Sequence, residues 1–340
     1  PPDSALPRAN LQEKSLLNAI MTHPTGYFTH DSVLRPNPME EAPDTPERID
    51  AIESRMMVLG LDDLVERFEC GPANDDYLRL AHDADYVESL RRISQSRATP
   101  EDLERFKLPD TPVGPGIFEA AAKSVGAVVS AVDAVKEGKV RNAFCAVRPP
   151  GHHAGPARAG GFCYFNNVAI GALYAQLRGF PRVAVLDFDA HHGDGTEEIL
   201  AGRENLHFWS LFQWPLYPNR RMTPVPANVT QSPLAAGADG NDLKTLLEEV
   251  WIPELRSFRP DFMLLSAGFD AHNEEHMAQL KFAEMDFAYL TRRLTEEAED
   301  LCEGRLVSVL EGGYSIRSLA RSVLAHLQTL VRTALERNPA

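Results

Sequence analysis

Cysteine is scarce in this 340-residue chain, and the four present, Cys70, Cys145, Cys163 and Cys302, stand far apart. No CxxC occurs, so neither a disulfide framework nor a thiolate zinc site fits. The thiols are read as reduced, in a cytoplasmic setting. No apolar run approaches the length of a membrane span, so no membrane partner is expected. The N-terminus lacks a signal peptide's basic start and apolar middle, and the opening Pro1-Pro2 suggests a trimmed chain. Basic excess is missing too. Lys and Arg total 34 against 49 for Asp and Glu, a net charge of −15. Such a chain suits nonspecific nucleic-acid binding poorly. It suits, weakly, a cationic small molecule or a Lys-bearing peptide. Repeats and low-complexity segments are absent.

What the chain does have is an apolar share of 44%, ample for a large core. An α/β fold holds this length as one unit, so a single domain over 1–340 is expected, with 1–24 a surface-wrapping extension. The Pro-rich stretch to about 45 reads the same way. Thr45 and Pro46 read as N-cap and first helical residue. Helices are predicted over 80–93 and 116–135, with a long polar loop over 94–115 between them. Thereafter short apolar strands (143–147, 183–188, 206–211, 262–267, 306–310) alternate with helices (166–177, 242–258, 285–301, 316–335). That alternation predicts a mostly parallel sheet covered on both faces.

Polar clusters follow the strands ending near 147, 187, 267 and 310. In open α/β sheets ligands bind beyond the carboxyl ends of strands. Asp187, Asp189 and His191 alternate where an apolar run ends, so an extended backbone turns them to one face. Asp189 and His191, with Asp270 from a distant strand, make three ligands and leave a fourth position for water. That donor set suits zinc, and also ferrous or cobalt ions. A lone Asp at a strand end is usually a cap or a loop hydrogen bond; three such ends with a histidine argue otherwise. The neighbours His152 and His153 suit proton transfer to and from a metal-activated water. Asp187 and Asp194 are available to orient them. Gly312-Gly313 permits close backbone approach, and Tyr314 could donate to a developing oxyanion. Taken alone, that tyrosine reads better as a core residue after a turn.

Five motifs in this order resemble the histone deacetylase and acetylpolyamine amidohydrolase family. They are Arg148-Pro-Pro-Gly-His-His-Ala154, Gly161-Phe-Cys-Tyr-Phe-Asn-Asn167, Asp187-Phe-Asp-Ala-His-His-Gly-Asp-Gly195, Ala267-Gly-Phe-Asp-Ala271 and Glu311-Gly-Gly-Tyr314. The resemblance covers about 25–335. It implies an arginase-like three-layer α/β fold and a zinc-dependent deacetylase. It implies zinc on Asp189, His191 and Asp270, with His153 as general base then acid. His152 paired with Asp187 would be an electrostatic partner, Asp194 would orient His153, and Tyr314 would polarise the acetyl carbonyl. Gly161, Phe162, Met277 and Asp110 would meet substrate, Phe162 lining a narrow tunnel. A structural potassium ion is implied on Asp187, the backbone of Asp189 and His191, Ser210 and the Leu211 carbonyl.

The chain departs from the family pattern at the rim. Phe212 stands where many members have His, and Tyr217-Pro-Asn-Arg220-Arg221-Met-Thr-Pro224 replaces a Gly-rich loop. Asp194 stands where many relatives have Asn, which is expected to raise the basicity of His153. Met277 leans away from long polyamines. Glu101, Asp102, Glu104 and Asp110 are read first as a solvated loop face, with anionic substrate contacts second. The expected substrate is a small N-acetylated amine or an acetyl-lysine peptide, and a homo-oligomer is compatible with the chain. Acetylpolyamine hydrolysis and a weakly catalytic acetyl-lysine binding protein are the alternatives. A two-manganese ureohydrolase is disfavoured, because Phe269-Asp270-Ala271 carries one Asp where an Asp-x-Asp is needed.

Overall fold

The computed structural model describes residues 25–35 and 42–336; the extension expected over 1–24 lies outside the described residues. The strands are β1 Thr25–Thr29, β2 Val65–Glu69, β3 Asn142–Cys145, β4 Val183–Asp187, β5 Leu206–Gln213, β6 Val229–Leu234, β7 Phe262–Ala267 and β8 Leu306–Leu310. They form one eight-stranded sheet in the order β2-β1-β3-β8-β7-β4-β5-β6. Every neighbouring pair runs parallel. The five strands predicted from apolar runs are all present, their ends moved by at most two residues.

Both faces of the sheet are buried, as parallel strands require. Along β4, Val183 and Val185 join the core on one face and Ala184 and Leu186 the core on the other. Helices Ile117–Lys136 and Asn167–Leu177 cover the first face. Gly171 lets the second of these sit close, since a Cβ there would lie 2.6 Å from Val128 Cγ1 and 2.7 Å from Leu264 Cδ2. Helices Glu47–Val58, Glu284–Cys302 and Ile316–Glu336 cover the other face. Truncating a fully buried side chain such as Leu264 to Ala would cost about 2–5 kcal/mol.

Three strands escaped the sequence reading. β1 lies in the stretch read as surface-wrapping, yet Tyr27 and Phe28 are buried and β1 pairs on both sides. Five residues are too few to show a period. β2 and β6 are the sheet's edges, and their sequences, VERFE and VTQSPL, carry the charges and the proline that edge strands tolerate. The long loop expected over 94–115 contains a helix, Pro100–Arg105, closed by a Thr99/Asp102 capping box. Asp102 is therefore no part of a solvated face. It is buried and bound bidentately by Arg92 at 2.6 and 2.8 Å. Glu101 and Glu104 are exposed, as expected. The helix predicted over 242–258 contains a π turn at Leu247–Trp251. Pro253 explains it, because proline lacks the N–H of a regular helical turn and crowds the carbonyl four residues back.

Candidate active site

The polar clusters converge because β3, β8, β7 and β4 are consecutive strands at the middle of the sheet. Their carboxyl ends release the four loops side by side. Ligand atoms of Asp189, His191 and Asp270 lie within 4.8 Å of one another, all three residues buried. His191 Nδ1 is 2.8 Å from Asp270 Oδ2 and 3.1 Å from Asp189 Oδ1. Backbone amides aim the carboxylates: Gly312 donates to Asp189 Oδ2 and Ala190 to Asp270 Oδ1, both at 2.8 Å. A Cβ at Gly268 would sit 2.0 Å from Asp189 Oδ2, and one at Gly312 2.4 Å from Asp270 Oδ2. Glycine at both positions keeps the cradle open.

The electrostatics of this cradle ask for a cation. Asp187, Asp189, Asp270 and Glu311 are all fully buried. Burial and the neighbouring Asp189 push Asp270 up to about 7. Burial alone would lower His191, but Asp270 and Asp189 overcome it and raise the imidazole to about 10. Two carboxylates this close cannot both ionise cheaply without a positive partner. The donor set, two carboxylates and one imidazole, fits a divalent ion of the zinc type.

Beside the cradle stand two His–Asp pairs. His152 Nδ1 meets Asp187 Oδ2 at 2.9 Å, and His153 Nδ1 meets Asp194 Oδ1 at 2.8 Å. The rings lie 4.1 Å apart between centroids. Their environments push them in opposite directions. Burial would lower His152, but Asp187 and Asp189 raise it well above the usual imidazole range. Burial and the adjacent His152 lower His153 to about 4, against the pull of Asp194. Without a metal, the surroundings of the two rings favour opposite charge states, the pattern that can divide acid and base roles. Asp194 does act to raise His153, as expected, but burial and the adjacent His152 outweigh it. Asp194 is shared: Arg158 Nη2 and Arg220 Nε bind its Oδ2 at 3.0 and 2.8 Å.

Asp110, His153, Gly161, Phe162, His191, Leu216, Tyr217, Met277 and Tyr314 line a cavity of about 180 Å³. All four residues expected to meet substrate are among them. Phe162 packs edge-on against Tyr314, ring centroids 5.6 Å apart. Gly161 needs to be glycine: its φ is +53°, and a Cβ would lie 2.3 Å from His153 Cδ2. Burial and the nearby carboxylates hold the Tyr314 phenol well above its usual range, so it stays a donor. At the expected potassium site Asp187 and Ser210 are register partners on β4 and β5, both buried. Ser210 Oγ lies 3.0 Å from His192 Nδ1.

Four contributors were missed. Tyr217 packs edge-on against His153 at 5.1 Å; the altered rim loop was noticed, but nothing in its spacing pointed inward. Glu311 accepts from the amides of Gly151 at 2.7 Å and His152 at 3.2 Å, and from Ser266 Oγ at 3.0 Å. Buried Arg48 donates to Gly313 O at 2.7 Å and pairs with Asp44 at 2.6 Å. Only its spacing of four from Asp44 hinted at a partner. Glu275, the fourth, accepts from the Tyr314 amide at 2.7 Å.

An all-parallel α/β sheet with this centre at its carboxyl rim defines the arginase/deacetylase type of fold. The solved HD domain of HDA15 superimposes with a TM-score of 0.84 at 27% identity, over 93% of each chain. The chain belongs to the histone deacetylase family: the Histone deacetylase domain matches residues 42–330. A probable deacetylase of Archaeoglobus fulgidus is 34% identical over 86% of this chain and 82% of its own length. A histone deacetylase-like amidohydrolase of Pseudomonas aeruginosa is 34% identical over 87% and 78%. Type-2 histone deacetylase 2 of Dictyostelium discoideum is 35% identical over 84% of this chain, which spans 19% of that longer protein.

Proposed function

We propose that this chain is a zinc-dependent deacetylase acting on acetyl-lysine or a similar N-acetylated primary amine. The observation that carries this reading is geometric: two imidazoles, His152 on Asp187 and His153 on Asp194, stand beside the Asp189–His191–Asp270 cradle, and His153 and Tyr314 line the same cavity. Asp189, His191 and Asp270 would hold the metal, which when bound supplies Lewis acidity and acidifies a water. His153, neutral and held through Nδ1, takes the water's proton on its free nitrogen and returns it to the leaving amine. His152, kept cationic by Asp187, stabilises the negative charge that develops. The Tyr314 hydroxyl donates to the acyl carbonyl oxygen.

The cavity's 180 Å³ equals the room of about six waters, enough for a slender acyl-amine chain between Phe162, Leu216, Tyr217 and Met277. Half-buried Asp110 offers a carboxylate to an N–H of the substrate. Met277 gives the wall no charge for a second ammonium, which supports acetyl-lysine over acetylpolyamines. Potassium on Asp187, Ser210 and the neighbouring carbonyls, one domain over the whole chain, and a reducing cytoplasmic setting are parts of the same proposal. Four buried free thiols support the last. Among the described residues no helix is long and apolar enough to cross a membrane.

The test is a rate panel on zinc-loaded protein with acetyl-lysine peptides, acetylputrescine, acetylspermidine and longer acyl-lysines. Acetate release is expected fastest from acetyl-lysine. A polyamine preference of about tenfold, a transition-state difference near 1.4 kcal/mol, overturns the ranking. Absence of turnover on every substrate favours the binding-protein reading.

A further inference from the structure

The Glu275 side chain is 1% exposed, and its carboxylate is held by backbone N–H groups, with the His276 imidazole Nδ1 3.0 Å from Oε1. Oε2 accepts from Tyr314 N at 2.7 Å and Ser315 N at 3.0 Å. Oε1 accepts from His276 N at 2.8 Å and Met277 N at 3.4 Å. One buried anion therefore joins two loops 39 residues apart, and each loop sends a side chain, Met277 or Tyr314, into the cavity. The two amides bound by Oε2 immediately precede helix Ile316–Glu336.

The same peptide unit is gripped at its other end. Gly313 C=O accepts from Arg48 Nε at 2.7 Å, while the Tyr314 N–H of that unit donates to Glu275. Gly313 has a φ of +119°, so this short link is open to conformations other residues avoid. A cation on the carbonyl and an anion on the amide fix the plane of the unit. That plane sets the direction in which the Tyr314 side chain leaves the backbone.

We propose that Glu275 is a positioning residue for the reaction, holding Tyr314 and Met277 in register with each other. This rests on the reading of Tyr314 as donor to the acyl carbonyl. Glu275 does not touch substrate; it acts through the backbone of the residue that does.

The test is a double-mutant cycle with Glu275→Ala, Glu275→Gln, Tyr314→Phe and the combined variants in the metal-loaded enzyme, with folding checked by thermal unfolding. Misplacing a reacting group by about an ångström costs up to about a hundredfold, so E275A is expected to lower kcat by at least about tenfold and to change KM less. In the Y314F background the same change should lower kcat by less than about twofold, because the group it positions is already gone. E275Q, whose amide oxygen still accepts one N–H pair, should recover part of the rate. In metal-free protein, amide hydrogen exchange over 312–316 should speed up in E275A. An equal loss of kcat in both backgrounds, or no loss in either, overturns the proposal while the role of Tyr314 stands. A Y314F enzyme at the full rate overturns both. Should E275A fail to fold, E275Q carries the same cycle.

Discussion

Arg220 donates Nε to Asp194 Oδ2 at 2.8 Å, and the other oxygen of that carboxylate, Oδ1, holds His153 Nδ1 at the same distance. The rim loop is thereby tied to the His153–Asp194 pair, because Tyr217, three residues before Arg220, packs on the His153 ring. Arg158 binds Oδ2 as well. Two guanidinium groups draw on a carboxylate whose full charge would otherwise favour the imidazolium.

Removing both cations should therefore make His153 more basic. The base must be neutral to act, so the acid limb of the kcat/KM profile should move to higher pH. In R158A/R220A a shift of about one unit is expected, the size that one neighbouring charge produces. An unmoved limb would show that Asp194 feels neither arginine.

Tyr314→Phe should reduce kcat by about a hundredfold or more, the usual loss of one donor to a developing oxyanion. Metal content measured by elemental analysis should be unchanged, since the hydroxyl is no ligand in this reading. An undiminished rate would take the tyrosine out of the chemistry.

Asp270→Asn and His191→Ala should each abolish stoichiometric metal binding and activity together. Chelation should inactivate the parent protein, and zinc should restore both turnover and thermal stability by binding the folded state. Activity that survives a fully chelated preparation would sink the metal reading.

Gly161→Ala tests the wall beneath His153. Its positive φ and the 2.3 Å approach to His153 leave no room for a methyl group, so turnover should fall by at least about tenfold. Full activity would mean that His153 tolerates displacement.

Acid should destabilise the metal-free fold through two buried histidines outside the cradle. Burial lowers His82 to about 4 and His326 to about 3. His82 bridges Gly155 O and Asn166 N at 2.9 and 2.8 Å, and His326 lies between Thr291 and Ser308. A depressed histidine contributes stability that is full above the unfolded value near 6.5. That contribution is lost as pH falls toward the folded value, because the unfolded chain takes up the proton first. By pH 5 each should cost about 1–2 kcal/mol. Urea unfolding across pH 5–7.5 should show the slope, and a flat profile would refute it.

Much of the sheet was legible because its central strands are continuous apolar runs punctuated by polar residues. The edges and β1 were not, since short or charged strands carry no period. Two members of the candidate metal cluster, Asp189 and His191, were legible because they alternate with Asp187 along one segment. Glu275 and Arg48 were not, nor was the contact of the motif residue Glu311 with the Gly151 and His152 amides, because each acts on a backbone far away in sequence.

By itself the sequence determined the alternating α/β order, the local alternation that aims a carboxylate and an imidazole together, and the glycines that keep the pit open. These follow from covalent geometry and short-range periodicity. Only the tertiary structure decided that β3, β8, β7 and β4 are neighbours, which brings Asp270 and Tyr314 to Asp189. It alone set the opposite charge preferences of His152 and His153 and let two arginines share Asp194. Those outcomes depend on burial and on charges brought near through space, quantities that no stretch of chain contains on its own.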